Sequence, residues 1–462
     1  PAGGTRVTVP AAAPALLTRV IDSAGWISGD FHLHQKNSDD SWTLFEDRVT
    51  MLLAEGLEDG VPTDHDHVTD LGPTLAALGL TDQLVTGIGD EVSVVDYGHF
   101  NYFPIQVDMA DPYAMDAVDG TKYYFGDDDM VLTASELFAL MRENPGDEVI
   151  QINHPRSDSM GYFSMIGYNA DTGRAIREPL ATDFDALEVK GDVFGDGSLL
   201  PDYFSLINQG LRVAAMGNSD AHRGRAENGY PRTYLRVADD RPEVTSIQQV
   251  VAAIDGGHTT VASGIYVDLT ARAGQTGGDQ TGGDQTGGDQ TGGDQTGGDQ
   301  TGGDQTGGGP GDLVSASSQS VTLSARLQCP TWTRTEHMMV YANGVPLALE
   351  PNGSGGYVES TSGATQLELA PATVGGRYEQ TLSIAVTPRD DTYYMVLAWA
   401  DTSLGVVSGD QALGYTSPIF VDVDGGGFTP PGLGAPVGPA PAMPRGFTPR
   451  PDRCGEEALD AH

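Results

Sequence analysis

The sequence predicts an α/β domain over residues 25–273 followed by a small antiparallel β-sandwich over residues 312–424. Three observations carry this expectation. Before residue 273, apolar runs alternate with stretches of helical periodicity, the pattern of strand–helix units that build an α/β barrel or a doubly wound sheet. After residue 312, apolar and polar residues alternate in short runs between Gly, Asn, Pro and Asp turns, as in a sandwich. Between the two, from Thr276 to Gln305, the pentapeptide TGGDQ repeats six times. That stretch has no apolar residue to bury and reads as a flexible acidic linker.

The elements follow in chain order. Residues 1–24 form an N-terminal segment, and the absence of an initial Met reads as removal of something upstream. GDFHLHQ is extended. Ser41 is the candidate N-cap of a helix over WTLFEDRVTMLLAEG. LTASELFALMREN is a second helix, followed by the apolar strand EVIQINHP that Pro155 ends. DALEVKGD and RVAAMGNSDAH are strands on either side of the helical DYFSLINQG. SIQQVVAAIDGG is a further helix, and IYVDLTARAG leads into the linker, residues 274–311. In the sandwich the strands are SVTLSARLQ, HMMVYANG, YEQTLSIAVTP, YYMVLAWAD and PIFVDV. Residues 425–462 are rich in Pro and Gly and predict a disordered tail.

Composition excludes several functions. Against 65 acidic residues the chain has 24 Lys and Arg, a formal charge of −41. Such a chain has no cationic surface with which to wrap long nucleic acid or anionic membranes. No stretch approaches the roughly 20 apolar residues of a membrane span. Cys329 and Cys454 allow one disulfide but no framework, and no zinc site built on Cys. Any metal must use His, Asp and Glu. Acidity, scarce Cys, Gly/Pro-rich tails and an appended sandwich predict an exported protein, whether periplasmic, cell-surface or extracellular.

The histidines are placed unevenly. Of ten, seven precede residue 223: His32, His34, His65, His67, His99, His154 and His222. Nearly all follow a predicted strand, where the loops of an α/β barrel build their site. In FHLHQ, His32 and His34 are two apart in an extended segment, so both imidazoles face one side and Leu33 the other. SDAH repeats this spacing with Asp220 and His222. TDHDH adds Asp64 and His65, GDEVSVVDYGHFN adds Glu91 and His99, and INHP adds His154. Imidazole and carboxylate are the usual ligands of Zn, Mn or Fe. This many suit two or three ions set close together rather than one. The bland alternative, core histidines satisfied locally, needs a separate coincidence at each strand end.

Taken together, GDFHLH, TDHDHVTD, GDEVS, GHFNYFP, NHP, GNSDAHR and GHTTVASGIYVDL resemble the PHP (polymerase and histidinol phosphatase) superfamily. The wording is most similar to its CehA/McbA-type metallohydrolases, over about residues 25 to 270. The resemblance implies a PHP-type distorted (β/α)7 barrel ahead of the sandwich and two or three divalent ions, Zn, Mn or Fe. It implies His32, His34, Asp39, His65, Glu91, His99, His154, Asp220 and His222 as ligands, with Asp40 adjacent to Asp39. Asp64 is then the residue that orients His65, and Tyr97, Asn101 and Asn218 stand beside ligands. His67 and Gln35 depart from the branch's usual residues. Arg156 and Arg223 each follow a ligand and can grip an oxyanion or pair with a nearby Asp. Lys190 follows a strand end in EVKGD, where it can face substrate. With Asp64 these form the candidate catalytic set.

The function so implied is metal-dependent hydrolysis by metal-bound hydroxide at a di- or trinuclear site, acting on small phosphoesters. Two alternatives stand beside it: a carbamate or carboxyl ester hydrolase on the same metals, and an inert exported binding protein. An amidohydrolase also opens with HxH but ends on a lone Asp, and here the end is DxH. The expected partner is a small-molecule ester or phosphoester, with no long nucleic acid. Oligomeric state is not set by the sequence.

Overall fold

The computed structural model describes residues 19–94, 96–106, 132–144, 146–157, 160–223, 228–274, 306–317, 320–405 and 411–444. The TGGDQ repeats, the first 18 residues and the tail after 444, with Cys454, lie outside the described residues. Cys329 is a buried free thiol.

Seven short strands surround the N-terminal core. They are β1 (Trp26–Asp30), β2 (Asp59–Gly60), β3 (Asp90–Val94), β4 (Gly98–Phe103), β5 (Val149–Ile152), β6 (Ala186–Glu188) and β7 (Ala214–Met216). β3 to β7 form one sheet in that order, and β1 pairs with β2 in another. Isolated bridges Leu33–Ala221 and His65–Glu91 join the two sheets just beyond the strand ends. The strands therefore form a ring whose joints carry the predicted site. The ring is not the uniform strand–helix alternation expected. β3 and β4 run antiparallel, because the few residues between them are too short for a crossover helix.

The helices are α1 (Phe45–Ala54), α2 (Gly72–Leu78), α3 (Ala134–Met141), α4 (Tyr162–Ile166), α5 (Leu200–Asn208) and α6 (Ile247–Asp255). α3 and α6 begin with capping boxes, Thr133 with Glu136 and Ser246 with Gln249. Ser41 does not cap α1. Leu44 occupies that position, and the Ser41 hydroxyl donates to the His222 carbonyl at 2.6 Å.

Strand pairing crosses the position of the boundary expected at 273. β8 (Arg232–Arg236) pairs with β1, and β9 (Thr259–Ser263) pairs with β8 on one edge and with strand Gln411–Thr416 on the other. One sheet thus runs from the N-terminal ring into the C-terminal region. β10 (Tyr266–Ala273) pairs along its whole length with Val321–Pro330. Val267, Leu269 and Ala271 enter the core between the two C-terminal sheets, and this alternation assigns β10 to the β-rich domain.

α5 lies between the two halves. Eight of its nine residues are buried, as a helix packed on both sides must be. Phe204 meets the Tyr341 ring at 4.9 Å, and the Tyr393 hydroxyl donates to Asn208 Oδ1 at 3.0 Å. The largest core cluster draws residues from both halves. The tail expected to be disordered from 425 is laid on this junction as far as 444. Phe428 packs on Phe420 at 4.9 Å, Gly432 N donates to Asn208 O, and Gly195 N donates to Pro441 O. Pro and Gly prevent a ladder there but not an extended strap.

Replacing Phe204 by Ala should destabilise the chain by about 3–5 kcal/mol. Scanning calorimetry should show both halves melting earlier in one shared transition, because the lost ring belongs to a common core.

Candidate metal centre

β1 runs straight into Phe31–Gln35, where alternation buries His32 and His34 on the inner side and Leu33 on the outer. Leu33 packs with Val49 and Leu52 of α1. Arg48 of the same helix, fully buried, donates to the carbonyls of His34 and Ala221 at 2.5 and 2.6 Å. It ties the HxH segment to the SDAH segment from behind. The clue in the sequence was a charged residue on the apolar stripe of Phe45, Val49 and Leu52.

Glu91 sits at the centre. It is fully buried, and five imidazoles surround its carboxylate: His32 at 3.1 Å, His34 at 3.3 Å, His65 at 2.9 Å, His99 at 3.3 Å and His154 at 3.4 Å. Asp220 Oδ1 lies 3.2 Å from His32 Nε2 and 3.1 Å from His34 Nε2. His222 stacks on His34 with ring centres 3.9 Å apart. Its Nε2 meets Asp40 at 2.9 Å, and His65 Nε2 meets the same oxygen at 3.4 Å. Asp39 is exposed and makes none of these contacts, so the acid of the HQKNSDD segment that faces the cluster is Asp40, not Asp39. The other eight expected ligands converge.

Many of these short contacts are not hydrogen bonds. His32 Nε2, His99 Nδ1, both nitrogens of His154, His222 Nε2 and Glu91 Oε2 are buried without a hydrogen-bond partner. Buried polar atoms are seldom left so. Donor atoms about 2.1 Å from a shared ion, at roughly tetrahedral or octahedral angles, lie about 3.0–3.4 Å apart, which is the spacing here. Donor atoms group as His34, Asp40, His65 and His222; as His32, His34 and Glu91; as His32, His154 and Asp220; and as His65, Glu91 and His99. The groups share members, so the donors form one continuous cluster rather than separate sites. The residues present fit a cluster of divalent ions.

Charge supports the same conclusion. Burial pushes Glu91 toward neutrality, but His32, His65 and His99 hold its pKa well below the ordinary value. Asp220 is held low in the same way by His32 and Lys190. In turn, burial disfavours a charged His65, yet Glu91 and Asp40 raise it to about 11. His34, buried beside His222 and His65, is pushed well below the usual histidine range. The carboxylates thus demand positive charge at the centre, and divalent cations meet that demand without protonating the imidazoles.

Outer residues orient the ligands. Glu188 was not foreseen. It is fully buried at the end of β6, its Oε1 is 2.8 Å from His32 Nδ1, and its Oε2 accepts from His154 N at 2.9 Å. An acid ending a strand in DALEV was the available signal. Asn153 was also missed: its amide donates to Glu91 Oε1 and to Asn101 Oδ1, both at 2.7 Å. Asn101 donates to Phe31 O, and Asn218 spans Phe31 N and Gln151. Ser93 holds His65 Nδ1 at 2.8 Å. Asp64, expected to orient His65, instead braces the loop below it, accepting from Gln35 N, Ser38 N and Thr69 Oγ1.

The candidate cations separate. Lys190 reaches the centre, with Nζ 2.8 Å from Asp220 Oδ2 and 3.5 Å from Glu188 Oε2. Arg156 is forked onto Asp202 of α5 and donates to Tyr168 O. It is engaged in structure, the salt-bridge alternative weighed above. Arg223 is exposed, as is His67. Positive φ marks Asp66, His154, Lys190 and Asp220, four of the five such non-Gly residues among those described. Strained backbone gathered at one place is a mark of a functional site.

No protein-family model matches the chain, and no curated protein matches it. Among solved structures it is similar to a two-domain protein from Bacteroides vulgatus ATCC 8482 containing a predicted PHP-like metal-dependent phosphoesterase. The identity is 15%, the TM-score 0.40, and the match covers 88% of this chain and 100% of that one. It is also similar to Endonuclease Q solved with a 27-mer duplex bearing an abasic lesion, at 17% identity and TM-score 0.35, over 50% of this chain and 57% of that one. At such values the chemistry of this chain rests on its own residues.

Replacing Glu188 by Gln or Asp40 by Asn should each weaken zinc or manganese binding by about 10–100-fold. Asp39→Asn and His67→Ala should leave it unchanged. Metal titration of the four variants reads this directly.

Proposed function

We propose that the chain is a metal-dependent hydrolase of the PHP superfamily, of the CehA/McbA type, with a distorted (β/α)7 barrel, a β-sandwich and a di- or trinuclear centre of Zn, Mn or Fe. Five imidazoles around the buried Glu91, with unpartnered nitrogens turned inward, are the observation that carries it.

When bound, such ions supply Lewis acidity and a water acidified toward neutrality. The chain's own contribution is geometric and electrostatic. Glu188 fixes the ring of His32 through Nδ1, which leaves Nε2 facing the centre. Ser38 does the same for His34, and Ser93 holds His65 Nδ1 beside Glu91. Lys190 holds the outer oxygen of Asp220 and places a cation at the rim, where negative charge on a substrate oxygen would gather. No Ser or Cys nucleophile stands among the converging residues.

Small phosphoesters are the substrate class this reading favours, since anionic oxygens suit a cluster of cations backed by Lys190. The charge of −41 repels long polyanions and limits substrate size. A carbamate or carboxyl ester hydrolase is the second reading, favoured by the wording of GDFHLH and GNSDAHR, since both reactions develop an oxyanion beside the cations. We place the protein outside the cytoplasm on its composition. Among the described residues, no helix is long and apolar enough to cross a membrane.

The test is a panel on metal-loaded protein: p-nitrophenyl phosphate, a bis-p-nitrophenyl phosphodiester, and nitrophenyl acyl and carbamate esters. Phosphoester turnover should appear and should fall on the order of a thousandfold in Asp220→Ala, the loss of several kcal/mol of transition-state stabilisation. Turnover of the acyl or carbamate esters alone would select the second reading. Metal binding without turnover of any substrate would sink the enzyme reading.

A further inference from the structure

We infer that the β-rich domain is a working part of the metal centre, and that Tyr415 is the positioning residue through which it acts. This rests on the metal reading above and deepens it.

Strand Gln411–Thr416 lies against β9 with Tyr415 opposite Val261. Side chains two apart on a strand face one side. On this strand that side is the underside of the site. Leu413 approaches Gly191, Tyr415 reaches Lys190 and Met216, and Ser417 reaches Ala215. The strand is pressed close. A Cβ on Gly414 would stand 2.1 Å from the Ile265 carbonyl oxygen, so no side chain fits there.

Tyr415 is fully buried, and its hydroxyl donates to the Lys190 carbonyl at 2.9 Å, with Met216 O at 3.4 Å. Lys190 has φ of +48°, a backbone state that a side chain disfavours and that must be held from outside. Its own N–H and that of Val189 both turn to Met216 O. The Tyr415 hydroxyl therefore closes the clamp that keeps this turn in place.

What the turn carries explains why it matters. Two residues back, Glu188 orients His32 and accepts from His154 N. At the turn itself, the Lys190 ammonium holds Asp220, whose other oxygen faces His32 and His34. Ser417 adds a second anchor. Its Oγ accepts from Ala215 N at 3.0 Å and pairs with Thr259 Oγ1 at 2.7 Å, fixing β7 one residue before Met216. A side chain 225 positions from Lys190 in sequence thus holds the turn that orients His32 and Asp220, two of the residues that would hold an ion.

The experiment uses the whole chain loaded with cobalt(II), whose visible spectrum reports coordination. Tyr415→Phe removes one oxygen and keeps the ring. Tyr394→Phe makes the same change in the same sheet, but on the face turned to the core between the two C-terminal sheets. Tyr415→Phe should bind cobalt roughly tenfold more weakly and show an altered spectrum. Tyr394→Phe should match the natural chain in both. If Tyr415→Phe does not fold, Ser417→Ala carries the test, with the same loss of affinity expected. Natural affinity and spectrum in the variant that folds would overturn the inference. If the unaltered chain binds no cobalt, the metal reading and this inference fall together. If it binds but hydrolyses nothing, only the enzyme reading falls.

Discussion

The carboxylate of Glu91 is the constraint on which the rest of the N-terminal half depends. A buried carboxylate with five imidazoles at contact distance is costly to assemble unless positive charge sits among them. That requirement explains the ring of short strands. Every strand of the ring but β6 delivers one or two donors to a common point at or near one of its ends, and the bridges Leu33–Ala221 and His65–Glu91 keep those ends together. It also explains the backing of amides and acids, because rings that must point inward need their outer nitrogens held.

Rigidity is distributed beyond the ring. Arg48 pins two ligand segments from α1. Asn101, Asn153, Asn218 and Gln151 form a buried amide network that links β1, β4, β5 and β7. α5 and the strap after residue 425 fuse the ring to the β-rich domain through one apolar core. In this arrangement the C-terminal region shares an apolar core with the ring. Its sheet continues that of β1, β8 and β9, so the two halves share a sheet as well as a core.

Acidity and site chemistry are consistent with each other. An acidic surface offers little long-range attraction to an anionic substrate. On the function proposed above, local cations would do the recruiting, and the centre is where carboxylates would gather them. Lys190 extends that positive field to the rim, while Arg156 is engaged with Asp202 and not with the centre.

Eight of the converging side chains were legible in the sequence because each lies in a short motif whose geometry is local. Two residues apart on an extended segment means one face, and this holds for His32 with His34 wherever the chain goes. Strand alternation and capping signals are local in the same sense, which is why α3, α6 and most strands could be read directly. Choosing Asp40 over Asp39 was not local, since it depends on how the loop turns toward His65 and His222. Glu188, Asn153, Arg48 and Tyr415 act only through partners distant along the chain, and no spacing announces them. The strap at 425–444 and the pairing of β10 with Val321–Pro330 likewise follow from where apolar surface was left to cover. The amino-acid order by itself determined which side chains could ligate metal. Tertiary packing alone decided which of them are held still, because holding requires contacts between residues that only folding brings together.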